Sequence, residues 1–431
     1  MFLNASVPPD HVTVPQARHA VWVERLLWVF LFSFALDYRN STAREGGAGM
    51  GLDQLLFLGS CIFSTAGIVM LGWRHLLVRP GAWLIGFWGL FIGFMLVNAT
   101  LQGVHPGRSI RVILPLVFCF FGIINAHIAG CMGLTAAQIV RPVLIAACTN
   151  VIWRIFHGFV FKSASLDTVN LLVACGVLFI GIFITVTRSL IFPVMASAMA
   201  CGICYLLGIR WGNFAWSGLG KRLIPVAAAI GLVIMALGLT ALFEPVMIER
   251  WNERLFHNAY AQNLSSDISY LTRKAEADAM WKILSDDPVH FIHGRGIGTS
   301  YYWDPAYLPE IWMVFPKEEA GFDDIWFAGH SVWTYGLLSG GVIALGSYLV
   351  LFGGVCVFSL VAARSNASDP GPDQWLAFLP FVATLCLISE TLTANPFQER
   401  LVGILYGIMA GLPQAFMVRS SWIHTSSSRS A

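Results

Sequence analysis

Long apolar segments alternate with short polar connections along most of the chain, and one long polar segment interrupts them after residue 243. Most apolar segments contain about 20 residues, the length with which an α-helix crosses the hydrocarbon core of a bilayer. The pattern predicts an all-α, polytopic membrane protein of about eleven transmembrane helices. We place these helices near residues 20–36, 53–72, 82–101, 110–130, 137–160, 168–187, 189–209, 223–243, 331–354, 375–392 and 400–418.

The polar interruption divides the chain into three regions. Residues 1–243 form the N-terminal transmembrane helices, 244–329 one large loop, and 330–431 the C-terminal transmembrane helices with a short cytoplasmic tail. Basic residues lie in the connection before the last span that precedes the large loop, and in the connection and tail that follow the loop. The positive-inside rule places these segments in the cytoplasm. The loop is therefore external, which means periplasmic in a Gram-negative host, and we expect it to contain short helices. The residues that set this orientation are Arg210, Lys221, Arg222, Arg364 and Arg419.

The first half of the chain disagrees with this orientation. Eight spans before an external loop would put the N-terminus outside, whereas Arg18 and Arg25 favour a cytoplasmic N-terminus. Segment 137–160 is the weakest of the eight because it carries Arg141 and Arg154, and it is either a span or a re-entrant or interfacial helix. The N-terminus lacks a basic segment followed by an apolar core and a cleavage site, so we expect no removable signal peptide.

Composition narrows the classes of function. The chain is 57% hydrophobic and only 12% charged, compared with about 25% charged residues in ordinary soluble domains. A net charge of +2 implies no nucleic-acid partner. The nine cysteines lie in or beside apolar segments, which indicates buried free thiols and neither a disulfide framework nor a zinc site. No metal-binding or ATP-binding motif is present, so we expect no metal and no cofactor.

Arginines are the main candidates for binding an anionic substrate. In the loop, Arg250 and Arg254 share one face of a predicted helix, and Arg273 lies on a second helix that ends before Asp287. Each of them either binds phosphate or pairs with a neighbouring carboxylate on a solvated helix face. The neighbouring carboxylates are Glu249, Glu253, Glu276 and Asp278.

Two further arginines lie in turns. Arg188 occupies the short connection between two spans and is either a snorkelling anchor or a fixed cation facing an anionic lipid headgroup. Arg295 lies within Gly294-x-Gly296-x-Gly298, which we interpret as a plain turn because no strand–turn–helix pattern surrounds it. Arg295 is the weaker anion-binding candidate of the two.

Aromatic side chains fill the rest of the loop, and either of two functions accounts for them. Aromatic rings stack on the apolar faces of sugars, but Trp and Tyr also form belts at the membrane–water interface. The pattern is compatible with both functions at once. The residues are Tyr301, Tyr302, Trp303, Tyr307, Trp312, Phe315, Phe322, Trp326 and Phe327.

His330 begins the apolar segment that follows the loop, so an imidazole is expected where water, headgroups and protein meet. It either faces headgroups or performs acid–base chemistry, because imidazole titrates near neutral pH. Ser331 either orients this imidazole or caps the helix. Farther along, Gly336, Gly340 and Ala344 are four residues apart, which predicts a small-residue face for close helix packing.

These residues resemble a known family. The pattern His330-Ser331, nine residues, then Gly341, directly after a long external loop, resembles the motif of O-antigen ligases in the O-antigen ligase and polymerase superfamily. The resemblance covers residues 168–418 and includes a turn around Arg188, Arg273 on a loop helix and the Gly-x-Gly turn. Two positions depart from the family pattern, because Ser189 replaces a glycine and Ala344 replaces Gly, Thr or Tyr.

The resemblance implies a glycosyltransferase of the bacterial inner membrane that acts in lipopolysaccharide or exopolysaccharide biosynthesis. Its donor would be a glycan on undecaprenyl diphosphate, and its acceptor either lipid A-core, in a ligase, or another lipid-linked glycan, in a polymerase. Such enzymes are metal-independent and inverting. His330 would be the general base, with Ser331 as an orienting group. Diphosphate binding would fall to Arg188 and Arg273, then to Arg250, Arg254 and Arg295.

A transporter or flippase of lipid-linked sugars is the alternative from another class. It predicts charged or broken helices in the middle of the membrane and an internal sequence repeat. The chain has no convincing repeat, and its polar residues concentrate in one external loop.

Overall fold

The computed structural model describes residues 14–37, 52–79, 81–161, 268–304, 326–365, 372–391 and 394–427, with isolated positions between 199 and 242. Within these residues the structure is helical, and its one β-bridge pairs Tyr301 with Trp326. The all-α prediction is thus confirmed for this part of the chain. The helices are α1 (Val14–Phe32), α2 (Leu52–Gly72), α3 (Gly81–Leu101), α4 (Pro106–Cys131), α5 (Ala136–Phe161), α6 (Ile268–Ser285), α7 (His290–His293), α8 (Val332–Ser365), α9 (Pro372–Thr391) and α10 (Arg400–Ser427).

Four of these helices, α2, α3, α4 and α8, are long and apolar enough to cross a membrane, and α9 contains a shorter apolar stretch. Helical membrane character is therefore supported, whereas the count of about eleven spans stays a prediction. The described cysteines are free thiols, of which Cys61, Cys119 and Cys131 are buried. The expectation of burial is wrong for Cys148 and Cys386, which are exposed.

Contacts between helix termini fix which ends of the helices lie together. The Asp37 carboxylate, just after α1, accepts a 2.9 Å hydrogen bond from Arg400, the first residue of α10. The Trp333 indole, at the start of α8, donates to Thr391 Oγ1, at the end of α9, over 3.0 Å. Thus α1 and α9 end, and α8 and α10 begin, at one end of the bundle. We call it the His330 end.

The first and fifth helices run parallel. Gln138 near the start of α5 donates to Glu24 of α1 over 3.0 Å, and Asn150 farther along donates to the Ala35 carbonyl over 2.9 Å. The start of α1 therefore lies opposite the His330 end. α5 is one continuous helix beside α1, but it is not among the helices that are long and apolar enough to cross a membrane, so the assignment of segment 137–160 as a span stays a prediction.

Glycines join α4 and α10 into the most closely packed helix pair of the described bundle. A Cβ added at Gly403, Gly407 or Gly411 would collide with the α4 backbone, at Pro115, Cys119 and Ile123 respectively. Small residues four apart permit such close approach, which is a main source of attraction between helices in membranes. The same type of spacing was recognised from the sequence in α8 but was missed in α10.

Substitution of Gly407 by Ala is expected to destabilise the folded protein by about 1–3 kcal/mol, because the new methyl group overpacks against the Cys119 backbone. Gly93→Ala is the matched control, since a Cβ at that position of α3 meets nothing within 4 Å. Thermal unfolding in detergent should therefore give a lower midpoint for Gly407→Ala than for Gly93→Ala. Equal midpoints would show that the contact between α4 and α10 tolerates a side chain at residue 407.

The long helix α8 is broken at Gly341, which has a φ of 63°. A Cβ there would collide with the backbone of Ile292 and His293, so both the conformation and the close approach require glycine. The turn after α7 fills the break, because Arg295 N donates to the Leu338 carbonyl over 2.7 Å and Gly296 N to Ser339 over 3.0 Å. Carbonyls freed by the break are thereby satisfied, as buried backbone groups require.

The break corrects the expectation of one continuous small-residue face on α8. Gly340 packs against Met95 of α3, whereas a Cβ at Gly336 would lie 3.2 Å from the Tyr348 ring beyond the break. Because Gly341 is not helical, Gly336 and Ala344 are not successive positions of one stripe. The segment predicted over 331–354 also extends farther, to Ser365.

Candidate active site

His330 lies two residues before the start of α8, and its side chain is 48% exposed. The Ser331 hydroxyl accepts hydrogen bonds from Trp333 N and Thr334 N, at 3.3 and 3.4 Å. These bonds satisfy first-turn amides that have no partner within the helix. Of the two roles that the sequence offers for Ser331, the structure shows the helix cap.

The Glu276 carboxylate holds His330 by two bonds. Its Oε1 accepts from the His330 backbone N–H over 2.7 Å, and its Oε2 lies 2.6 Å from His330 Nδ1. The Glu276 side chain is only 2% exposed, so the pair has a buried and a solvent-facing member. Because one carboxylate grips both the backbone and the ring, the position and the orientation of the imidazole are fixed together.

The peptide between Gly329 and His330 is also held from its other side. The Gly329 carbonyl accepts hydrogen bonds from the side-chain amides of Asn395, at 3.0 Å, and Gln398. Both amides lie in the connection between α9 and α10. A side chain at residue 329 would approach Glu276 Oε1 to 2.8 Å, so glycine there makes room for the carboxylate.

Two tyrosines support the backbone that leads to the histidine. The Tyr335 hydroxyl donates to the Phe327 carbonyl and accepts from Gly298 N, both over 2.9 Å. The Tyr301 hydroxyl donates to the Ala328 carbonyl over 2.9 Å. Burial, together with the nearby Glu276 carboxylate, raises the pKa of Tyr301 well above its ordinary value, so this hydroxyl remains a donor.

The arrangement defines which ring nitrogen can take a proton. A carboxylate accepts hydrogen bonds only, so the neutral imidazole places its proton on Nδ1, toward Glu276. Nε2 then carries the lone pair at the half-exposed side of the ring. A buried carboxylate that fixes this tautomer, and stabilises the imidazolium formed on proton transfer, is the arrangement that prepares a histidine for general-base chemistry.

The predicted cations are placed as follows. Arg273 is exposed on α6, three residues before Glu276, and residues three apart are neighbours on a helix surface. Arg295 is half-buried at the break of α8, where its guanidinium lies 3.2 Å from His290 Nε2. The remaining three, Arg188, Arg250 and Arg254, lie outside the described residues.

Aromatic rings border the histidine on the loop side. Trp303 and Trp326 stack with their ring centroids 4.8 Å apart and their planes within 7°. The Trp326 ring lies 6.1 Å from the His330 ring. Among the residues that the structure describes, no group of three or more His, Cys, Asp or Glu side chains could hold a metal ion.

Glu276 was missed by reasoning from the sequence, which offers it only as a solvated partner for an arginine. A signal for its burial does exist. Ala275, Ala279 and Met280 share the face of α6 that carries Glu276, and all three are buried. A carboxylate within an apolar helical face indicates a group that the fold needs and must pair, because an unpaired buried charge is costly.

In comparisons with known proteins, no protein-family model and no curated protein matches the chain.

Proposed function

We propose that the protein is a membrane glycosyltransferase of the O-antigen ligase and polymerase type, with about eleven spans, located in the bacterial inner membrane. It transfers a glycan from undecaprenyl diphosphate to an acceptor hydroxyl on the periplasmic side. The observation that carries this proposal is the pair of hydrogen bonds from the Glu276 carboxylate to the backbone and the ring of His330. The resemblance of the His330-to-Gly341 pattern to the ligase motif supports it independently.

In the proposed reaction, Nε2 of His330 removes the proton from a sugar hydroxyl of the acceptor. The hydroxyl oxygen then forms a bond to the anomeric carbon of the donor, while the bond from that carbon to the diphosphate oxygen breaks. The configuration inverts, and undecaprenyl diphosphate leaves with the electron pair. The developing imidazolium is stabilised by Glu276, which keeps its negative charge throughout.

The leaving group gains negative charge as its bond breaks, so a fixed cation should accelerate the step. Among the described residues Arg273 suits this role, because it is exposed one helical turn from Glu276. A guanidinium cannot lose its proton under these conditions and can bind two phosphate oxygens at once. We propose that Arg188, Arg250, Arg254 and Arg295 serve the same diphosphate.

The structure suggests why a glycine lies at position 341 of the pattern. The glycine permits the break in α8 into which the turn after α7 fits, and that turn belongs to the same loop as Glu276. The two ends of the motif are thus both points where the external loop contacts α8. This relation accounts for the spacing between His330 and Gly341 without a catalytic role for the glycine.

A transporter of lipid-linked sugars is the second candidate, and the break in α8 is the observation in its favour. Broken helices of transporters expose backbone groups to a substrate. Here the carbonyls of Leu338 and Ser339 are bonded to the amides of the loop turn. The break therefore serves to dock the loop, which favours the glycosyltransferase.

His330→Ala is expected to abolish full-length surface glycan when it replaces the native gene, since loss of a general base costs about 10²–10⁴-fold in rate. Lipopolysaccharide and secreted polysaccharide are compared on gels, with membrane insertion checked by immunoblot. Core capped by one repeat unit would identify a polymerase, and bare core with accumulated lipid-linked polymer a ligase. His105→Asn, an exposed helix cap at the start of α4, is the matched control.

Unchanged glycan in the His330→Ala strain would refute the general-base mechanism. A second assay separates the transporter: purified protein in detergent is mixed with lipid-linked donor and acceptor, so that no membrane divides them. A glycosyltransferase forms product there and loses it on substitution of His330. A transporter gives no product with either protein.

A further inference from the structure

We infer that α7, together with the C-terminal part of α6, forms a surface that rests on the bilayer, at the headgroup level of the leaflet on the His330 end. We define this α7 surface by Trp281, Val289 and Ile292. Its partner is the lipid of the surrounding membrane. The inference concerns a part of the loop that the sequence places outside the membrane, and it does not depend on the proposed reaction.

The α7 surface exposes large apolar side chains. Trp281 is 59% exposed, Val289 52% and Ile292 56%, although all three belong to a mostly polar loop. The Trp281 ring packs edge-on against Phe291, with their centroids 5.2 Å apart, which joins the end of α6 to α7. Exposed apolar side chains that are joined in this way indicate an interaction surface rather than isolated exposure.

The surface continues directly into the lipid-facing side of a spanning helix. The Ile292 and His293 backbone packs against Gly341, and the next two residues of α8, Val342 and Ile343, are 54% and 40% exposed. From there to its end, α8 is about 36 Å long, enough to cross a hydrocarbon core of about 30 Å. α7 therefore lies where that crossing begins, and the bilayer that covers Val342 reaches Ile292.

The character of the exposed side of α6 changes along the helix. Asp278 and Lys274 lie on the same side as Trp281 but one and two turns farther from α7, respectively, and both are exposed. Trp281 thus lies at a boundary between exposed charged residues, which also include Lys282, Asp286 and Asp287 after it, and the apolar side chains of α7. Tryptophan is enriched at such boundaries of membrane proteins, where its ring contacts lipid and its N–H contacts water.

Nitroxide accessibility tests the inference on full-length protein in liposomes of phosphatidylethanolamine and phosphatidylglycerol. Spin labels are placed on Val289→Cys, Ile292→Cys and the control Lys274→Cys, in protein whose nine natural cysteines are replaced. Oxygen partitions into lipid and a nickel chelate stays in water. We expect collisions with oxygen to exceed those with nickel at 289 and 292, and the reverse at 274.

Two results would overturn the inference. Nickel collisions in excess at 289 and 292 would show a surface open to water. Low collision rates with both reagents would show a surface covered by protein, either another part of this chain or a second copy.

A second measurement keeps the natural cysteines, in case their replacement prevents folding. Lipids brominated on their acyl chains quench tryptophans that touch the bilayer. Trp281→Phe should remove a quenchable component of the fluorescence, whereas Trp303→Phe, a buried position that is 8% exposed, should not. Equal losses for the two variants would again overturn the inference.

Discussion

Glu276→Gln is expected to lower the rate of glycan transfer by about 10²–10⁴-fold while the protein still folds and inserts. Glutamine can keep both contacts to His330, but its amide nitrogen can donate to Nδ1. Nδ1 then becomes the acceptor, the ring proton moves to Nε2, and the exposed nitrogen can no longer take a proton. The substitution therefore changes the tautomer more than the geometry.

This prediction is measured as initial rate against acceptor concentration with purified protein in detergent. The loss should appear in kcat, with a KM close to that of the parent, because the proton is taken only in the transition state. Asp278→Asn, an exposed carboxylate two residues away on the same helix, controls for the loss of one negative charge. A Glu276→Gln variant with the parental kcat would mean that Glu276 is structural and that His330 is not the base.

Asp37→Ala is expected to destabilise the folded protein by about 3–5 kcal/mol, the cost of leaving a buried charge without its partner. Asp37 and Arg400 are each only 1% exposed, and their 2.9 Å contact joins the end of α1 to the start of α10. Loss of the carboxylate leaves the guanidinium in the interior without this ion pair. Activity should fall as well, because Asn395 and Gln398, which hold the Gly329 carbonyl, lie just before Arg400.

The double variant Asp37→Leu with Arg400→Met is the matched control. Replacement of both members of a buried ion pair by apolar side chains is often neutral or stabilising. Thermal unfolding in detergent should therefore show a large fall for Asp37→Ala and recovery in the double variant. Equal falls for both variants would show that the pair contributes through packing and its other contacts, not through its charge.

The helices could be predicted largely from the sequence, because the length and hydropathy of a segment are local properties. The segments predicted near 53–72, 82–101 and 110–130 agree with α2, α3 and α4 within a few residues. The break in α8 could not be predicted in this way. An apolar sequence continues through Gly341, and only the backbone of the loop turn, far earlier in the chain, makes a positive φ necessary.

The residues of the candidate site likewise fall into those that local sequence identifies and those that depend on contacts between distant parts of the chain. His330 was identifiable from its position between a polar loop and an apolar segment, and Arg273 from its predicted helix. Glu276 was not identified, because the apolar face that it shares with Ala279 and Met280 indicates burial but does not show which group the carboxylate contacts. Its role arises from a contact across 54 residues of chain, which periodicity does not encode.

The pairing of the first helix with the last has a consequence for how the protein is made. Asp37 and Arg400 are 363 residues apart, and the face of α4 at Pro115, Cys119 and Ile123 packs against α10. At about 5–20 residues per second, a ribosome needs on the order of 10–60 s to go from the end of α4 to the start of α10. During that interval the nascent chain holds Asp37 without Arg400, and it holds α4 without the glycine face of α10 that packs against it. Early release of a truncated chain would therefore expose a recognisable signal for membrane quality-control proteases.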